Sequence, residues 1–273
     1  MQQICQVQEG GKVCSLFSPH AKTMSSTSVS AAVLIIGNEI LSGRTQDSNL
    51  NHIATTVGAW GIQVREARVV ADVEREIVEA VNALGERYDY VFTTGGIGPT
   101  HDDITAVCVA KAFDLPVIEH PQISERIQSR PAAPDIMRSR LLMARVPEGA
   151  SLIDNPTGGP QGFCIGNVYV MAGIPRVMQA MLSTLDGKLQ RGVVMLSRSV
   201  SAYLGESQVS EALAAIQETH QSVDIGSYPF ARDDRYGTSL VVRGSDPALL
   251  DQILTELENM IRSAGETPFD QVR

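Results

Sequence analysis

A chain of 273 residues with 43% hydrophobic content has room for one large or two small packed domains. Its 31 acids against 22 Lys and Arg give a net charge of -9 with no local basic run, which argues against nonspecific nucleic-acid binding, a process that needs a cationic surplus to release counterions. Cys5, Cys14, Cys108 and Cys164 form no CxxC pair, so neither a zinc knuckle nor a disulfide scaffold is supported and a reducing cytoplasm fits best; the longest aliphatic run, 31–36, falls far below the roughly 20 residues that span a bilayer.

Residues 1–28 are expected to be a disordered arm, because Gly10, Gly11, Pro19 and a Ser/Thr run leave no period and no apolar signal-peptide core. Met24 is an alternative start. From residue 29 short β-type runs alternate with helical stretches, the pattern of a mostly parallel sheet covered on both faces, and an α/β domain is expected over 29–188. Its first strand falls near 33–36, and a helix follows with Asp47 or Ser48 as cap and Leu50, Ile53, Ala54 and Val57 as its apolar stripe. A second strand is expected near 62–70, then a helix after Asp72 with Ile77, Val78, Val81 and Leu84 inward, then a strand over 88–93.

That strand runs into Thr93-Thr94-Gly95-Gly96-Ile97-Gly98-Pro99-Thr100-His101-Asp102-Asp103-Ile104-Thr105, ahead of a helix expected over 102–113. Three glycines let a ligand approach the backbone, and the amides and positive dipole end of the next helix favour an anion such as phosphate. Asp102 and Asp103 would repel that phosphate unless a cation sat between them, so the combination points to phosphate plus a divalent metal. The same residues also suit a capping box, with Thr100 accepting from the first-turn amides and Asp103 reaching back.

Further helices are expected over 119–129 and 136–144, a short strand near 152, a Gly/Pro loop over 155–162, strands over 163–165 and 168–171, and a closing helix over 177–185. Residues 189–273 then read as a small α+β domain, β-α-β-β-α, with strands near 193–196, 223–228 and 239–243 and helices over 206–218 and 247–264.

The glycine segment, preceded by Ile-Ile-Gly-Asn-Glu-Ile-Leu-Ser-Gly-Arg-Thr-Gln-Asp-Ser-Asn at 35–49, resembles the molybdopterin-binding domain shared by MoaB, Mog and the amino-terminal part of CinA. The likeness covers about residues 33–185 and is greatest to the CinA type, since both motifs occur in that order and spacing. It implies a three-layer sandwich, and Gly205-Glu206-Ser207 resembles the helix start of the small region that follows in CinA-like chains. No room is expected for the deamidase domain that many longer relatives bear. The later loops depart from the pattern: Gly159, Pro160 and Gln161 replace Thr, Ala and Pro, Ala172 replaces a proline and Val177 an acid.

Ligands of open α/β sheets lie beyond the carboxyl ends of the strands, which gathers the candidate residues. Glu39, Asp72 and Asp103 are the candidate catalytic and metal-binding carboxylates, suited to Mg²⁺ or Mn²⁺, while Asn38, Asn49, Gly95, Gly96, Gly98, Thr100, Asn155 and Gly158 are candidate ligand or phosphate contacts. By resemblance Asp103 matches the acid after the family's glycine loop, Asp72 the acid before the next helix, and Asn49 the Asn of the first motif. For Asp72 a helix cap and for Glu39 a loop ion pair are the plainer alternatives, and for His101 and Arg176, candidate phosphate contacts, a solvated side chain is the favoured reading.

The resemblance implies either binding and adenylylation of a pterin phosphate or, in the CinA type, metal-dependent hydrolysis of the pyrophosphate in ADP-ribose-like and FAD-like nucleotides. The second is favoured by the first motif and the βαββα appendage. A noncatalytic binding module on the same fold is the third reading. Expected partners are a small nucleotide or pterin phosphate and further copies of the chain, with no nucleic acid and no membrane.

Overall fold

A computed structural model describes residues 28–232 and 234–270; the expected arm, with Cys5 and Cys14, lies outside the described residues except for Ser28. The chain divides into two compact units between Gly192 and Val193.

The first unit is built on a six-stranded sheet. Strand β1 (Val29–Ile36) pairs in parallel with β2 (Ile62–Val70) on one side and β3 (Tyr90–Thr94) on the other. Beyond β3 come β8 (Val168–Met171) in parallel, then β7 (Gly162–Ile165) and β6 (Ser151–Ile153) antiparallel, giving the order β2-β1-β3-β8-β7-β6. Central β1 is buried along nearly its whole length, as a strand covered on both faces must be.

Alternation along β1 assigns the two layers. Ala32, Leu34 and Ile36 join one core with helix α3 (Glu74–Arg87), α4 (Thr105–Ala112) and α5 (Pro121–Gln128). Helix α3 contributes Ile77, Ala80, Val81 and Leu84, an i, i+3, i+4, i+7 stripe. On the other face, α2 (Asn49–Ala59) and α7 (Pro175–Ser183) bury Ile53, Val57, Met178, Met181 and Leu182 outside that cluster. A single helical turn, α1 (Asn38–Leu41), links β1 to α2, while α6 (Pro134–Leu141) and a 3₁₀ turn at Leu142–Ala144 lead into β5 (Arg145–Pro147), which pairs only with β4 (Val117–Glu119).

In the second unit, β9 (Leu196–Ala202), α8 (Glu206–Thr219), β10 (Asp224–Arg232), β11 (Arg235–Gly244) and α9 (Pro247–Ser263) follow the expected β-α-β-β-α order, the antiparallel sheet running β10-β11-β9. Asp246 caps α9 by accepting from Ala248 N (2.9 Å) and Leu249 N (3.3 Å), and Leu250, Ile253, Leu257 and Ile261 pack on Val200, Leu240 and Val242. One element is displaced from its expected place: the aliphatic run Val193-Val194-Met195 is 39–46% exposed and the strand begins at Leu196, because pairing with β11 selects 196–202.

Among the described residues no helix is long and apolar enough to cross a membrane.

Candidate functional site

After β1 the chain places β2 on one side, and after β2 it crosses to place β3 on the other, so the connections leaving β1 and β3 diverge. Such a switch point opens a crevice at the carboxyl ends of the two strands. The loop after β1 carries Asn38 and Glu39, the loop after β2 Asp72, and the loop after β3 the glycine segment.

The glycine loop is packed tightly against its neighbours. Gly95 N donates to Met171 O at the end of β8 (3.2 Å), and Thr105, fully buried at the start of α4, donates from Oγ1 to Gly95 O (2.9 Å) and from N to Gly96 O (3.0 Å). Helix α4 begins at Thr105, three residues later than expected, with Ile104 (φ -105°, ψ 0°) outside the helix and no side-chain cap. The capping-box alternative is therefore corrected. Asp103 closes the loop itself, Oδ1 accepting from Gly98 N (2.7 Å) and Oδ2 from Thr100 N (2.8 Å), and a Cβ on Gly98 would lie 2.5 Å from Oδ2.

These bonds leave some donors open. The amides of Gly96 and Ile97 take no acceptor among the described residues, and those of Ala106 and Val107 in the first turn of α4 have no intrahelical partner. Thr100 has one hydroxyl proton for two carboxylates, Asp102 and Asp103, and this hydroxyl, with the backbone, holds Asp102 below the usual carboxylate range.

Acids gather near this loop. Asp72 Oδ2 accepts from Asn38 N at the start of α1 (2.8 Å), so its carboxylate serves that short turn and does not cap α3, where Val73 is the N-cap and makes no side-chain bond. Burial pushes the Asp72 carboxyl above its usual range; the Asn38 amide opposes this, while the charges of Glu39, Asp102 and Asp103 add to it. That coupling brings the candidate carboxylates Glu39, Asp72 and Asp103 into one electrostatic neighbourhood. Among the described residues, however, no three His, Cys, Asp or Glu side chains are already grouped to hold an ion.

Residues 32–190, more than half of the chain, match the family described as "Probable molybdopterin binding domain". A crystal structure titled as the protein CinA with unknown function, from Thermoplasma acidophilum, superposes with a TM-score of 0.54 at 32% identity, covering 60% of this chain and 99% of that one. This chain belongs to the molybdopterin-binding-domain family, in its CinA type. Residues 194–269 match the family described as "FAD synthase, middle domain". A CinA-like protein of Desulfosudis oleivorans is 35% identical over 201 residues, covering 67% of this chain and 48% of its own length. A probable FAD synthase of Caenorhabditis elegans is 26% identical over 257 residues, covering 85% of this chain and 50% of its own. The chain thus spans about half the length of these two relatives.

Within this CinA-type domain the remaining candidates divide by location. Asn49 is buried, donates from Nδ2 to Gly173 O (2.8 Å), and leaves Oδ1 without a partner beside a cavity of about 50 Å³ that Glu39, Thr94 and Pro175 also line. Asn155 is spent on its own loop: Oδ1 accepts from Thr157 N (3.1 Å) and Oγ1 (2.6 Å), and Nδ2 donates to Pro160 O (2.8 Å). Gly158, at φ +83°, lies under the Arg130 guanidinium, whose Nη2 would be 2.7 Å from a Cβ. His101 and Arg176 are exposed. Neither Arg145 nor Gln161 figured as a candidate, yet both line a second, roughly 20 Å³ cavity against Gly96, Ile97 and Ala106.

The acids near the loop make a stability prediction in metal-free buffer. A carboxyl whose folded pKa is raised stabilises the fold fully below its unfolded pKa, and that contribution is lost as pH rises through the folded pKa. Asp72→Asn keeps an oxygen for Asn38 N and removes the charge, so at pH 7 it should raise stability by roughly 0.5 kcal/mol, the modest scale of solvent-screened charges. Denaturant titrations should show that gain closing as pH falls into the Asp range; a gain independent of pH would place its origin elsewhere.

Proposed function

We propose that the strand-end crevice of the first unit binds the diphosphate of a nucleotide such as ADP-ribose or FAD and cleaves its pyrophosphate bond with the help of a divalent cation. The support for this reading is two chemistries at the strand ends: Gly96 and Ile97 amides that take no acceptor among the described residues, and the charges of Glu39, Asp102 and Asp103 that act on Asp72. Phosphate oxygens suit the first and a cation suits the second.

The donor set fits Mg²⁺ or Mn²⁺. All the candidate side chains are hard carboxylate oxygens; burial is the main cause that raises Asp72, and the repulsion from Glu39, Asp102 and Asp103 that adds to it is what a cation relieves. Mg²⁺ takes one or two protein carboxylates and completes its shell with water and phosphate, so a preformed three-acid cage is not required. Asp72, Glu39 and Asp103 would hold the ion, which when bound neutralises phosphoryl charge and makes water more acidic.

The chain's own residues then divide the work. Gly96 and Ile97 amides orient the diphosphate, and Asp103 keeps that loop in shape through Gly98 and Thr100. Asp72 Oδ1, the oxygen not committed to Asn38, is assigned the proton of the attacking water. Water adds to one phosphorus, the bridging P–O bond breaks, and ADP-ribose yields AMP and ribose phosphate.

A second reading, pterin-phosphate binding or adenylylation, draws on the description of the family matched by residues 32–190. Following AMP release from ADP-ribose and FAD with Mg²⁺ or Mn²⁺, and again with a chelator, separates the two. Chelator-sensitive AMP release is expected. Pterin binding with no AMP release under either metal would overturn the pyrophosphatase and favour the second reading.

A further inference from the structure

The open amides of the glycine loop have a basic neighbour. Arg145, the first residue of β5, lines the cavity of about 20 Å³ together with Gly96, Ile97, Gly98 and Asp103, and among the described residues no other Lys or Arg lines either cavity. The next residue, Val146, is buried in the core and pairs with Ile118, so Arg145 turns to the other side of the strand, where it is exposed.

The two acids set beside Arg145 are occupied elsewhere. Glu119 is its cross-strand partner, yet Glu119 Oε1 accepts from Ser124 Oγ (2.6 Å). Asp103, in the lining of the same cavity, accepts from Gly98 N and Thr100 N. Arg145 is left with no ion pair and no side-chain hydrogen bond among the described residues. A guanidinium is a planar fork of donors that matches two phosphate oxygens at once. The cavity holds only a water-sized group, so a phosphate on the Gly96 and Ile97 amides stays outside it, within the range of a long, exposed side chain.

The acids make such a charge useful. Glu39, Asp102 and Asp103, which act on Asp72, would also repel a diphosphate, and one divalent ion shared between carboxylates and phosphates leaves negative charge uncompensated. We infer that Arg145 is a phosphate-binding residue of this crevice, its guanidinium donating to non-bridging oxygens of the phosphate that rests on the Gly96 and Ile97 amides. The inference rests on the reading that the glycine loop takes phosphate, and it adds a contact independent of the cation.

Calorimetric titration with methylenediphosphonate, a non-hydrolysable diphosphate, in the presence of Mg²⁺ tests it without turnover. Arg145→Ala should weaken binding about tenfold or more, as loss of charge-assisted hydrogen bonds does, and Arg145→Lys, a point charge without the fork, should recover part of the loss. Arg138→Ala removes the same charge from exposed α6, where it pairs with Asp135, and should change affinity by less than about twofold. Thermal melts report folding, and Arg145→Gln carries the same test if the alanine variant does not fold. Unchanged affinity in a folded Arg145→Ala, an equal loss in Arg138→Ala, or no binding of the diphosphonate to the wild type would overturn the inference. Arg145-dependent binding without AMP release from ADP-ribose would instead sink only the pyrophosphatase, and AMP release with an affinity indifferent to Arg145 would sink only the inference.

Discussion

Replacing Gly95 by alanine is expected to destabilise the first unit by about 3–5 kcal/mol, among the larger effects a single substitution produces. Its φ of +104° is one that L side chains rarely adopt, and a Cβ there would sit 2.1 Å from Ile36 O at the end of β1. The obstacle is backbone of a central strand, which has no rotamer by which to yield. Gly43 supplies the control: its φ is +71°, nothing lies within 4 Å of where a methyl would stand, and Gly43→Ala should cost only the conformational penalty of about 1 kcal/mol. Denaturant titration of both proteins checks the contrast. Comparable costs would mean that the approach of β1 to the glycine loop does not constrain the turn.

Asp103→Asn is expected to lower AMP release by about 100-fold or more, the scale on which loss of a preorganised polar group in a reacting site is felt. Both Asp103 oxygens accept from backbone amides, and asparagine can answer only one of them, setting its own N–H against the other. The loop that shapes the Gly96 and Ile97 amides is thereby loosened, and a carboxylate is lost from the crevice. Because Thr100, His101 and Asp102 are exposed, the melting temperature should move by no more than about 3 °C, the equivalent of roughly 1 kcal/mol for a domain this size. Asp102→Asn, which keeps an oxygen for Thr100 Oγ1 and removes a charge outside the three candidate carboxylates, should retain most of the activity. Equal turnover in wild type and Asp103→Asn would reject the assignment of that carboxylate.

Much of the architecture could be read from local pattern because its periods are strong. The strand expected near 62–70 is the observed β2, and the stripe Ile77, Val81, Leu84 is the buried face of α3. Elements that depend on distant partners escaped. Strands Val117–Glu119 and Arg145–Pro147 are three residues each and pair only with one another, so neither carries enough alternation to stand out. The run Val193-Val194-Met195 looked more strand-like than Ser-Arg-Ser at 197–199, yet β11 pairs with the latter.

The crevice shows the same division. Strand order in such sheets delivers loop ends to one place, which is why Glu39, Asp72 and Asp103 were expected together; the charges of Glu39 and Asp103 do act on Asp72, but among the described residues no three acids are grouped to hold an ion. Motif spacing did not distinguish a helix cap from a loop closure at Thr100 to Asp103, because both satisfy amides three residues apart and only the backbone of Ile104 decides. Gln161 was visible solely as a departure from a family pattern; it lines a small cavity with Gly96 and Arg145, residues far from it in sequence.

The central claim is that backbone donors and acids at the strand ends together take a diphosphate and its cation. A crystal structure with Mg²⁺ and a non-hydrolysable ADP-ribose analogue tests it most directly. The diphosphate is predicted on the Gly96 and Ile97 amides, with the ion between it and carboxylates drawn from Glu39, Asp72 and Asp103. A diphosphate bound elsewhere, or an ion with none of those three among its ligands, would contradict the account.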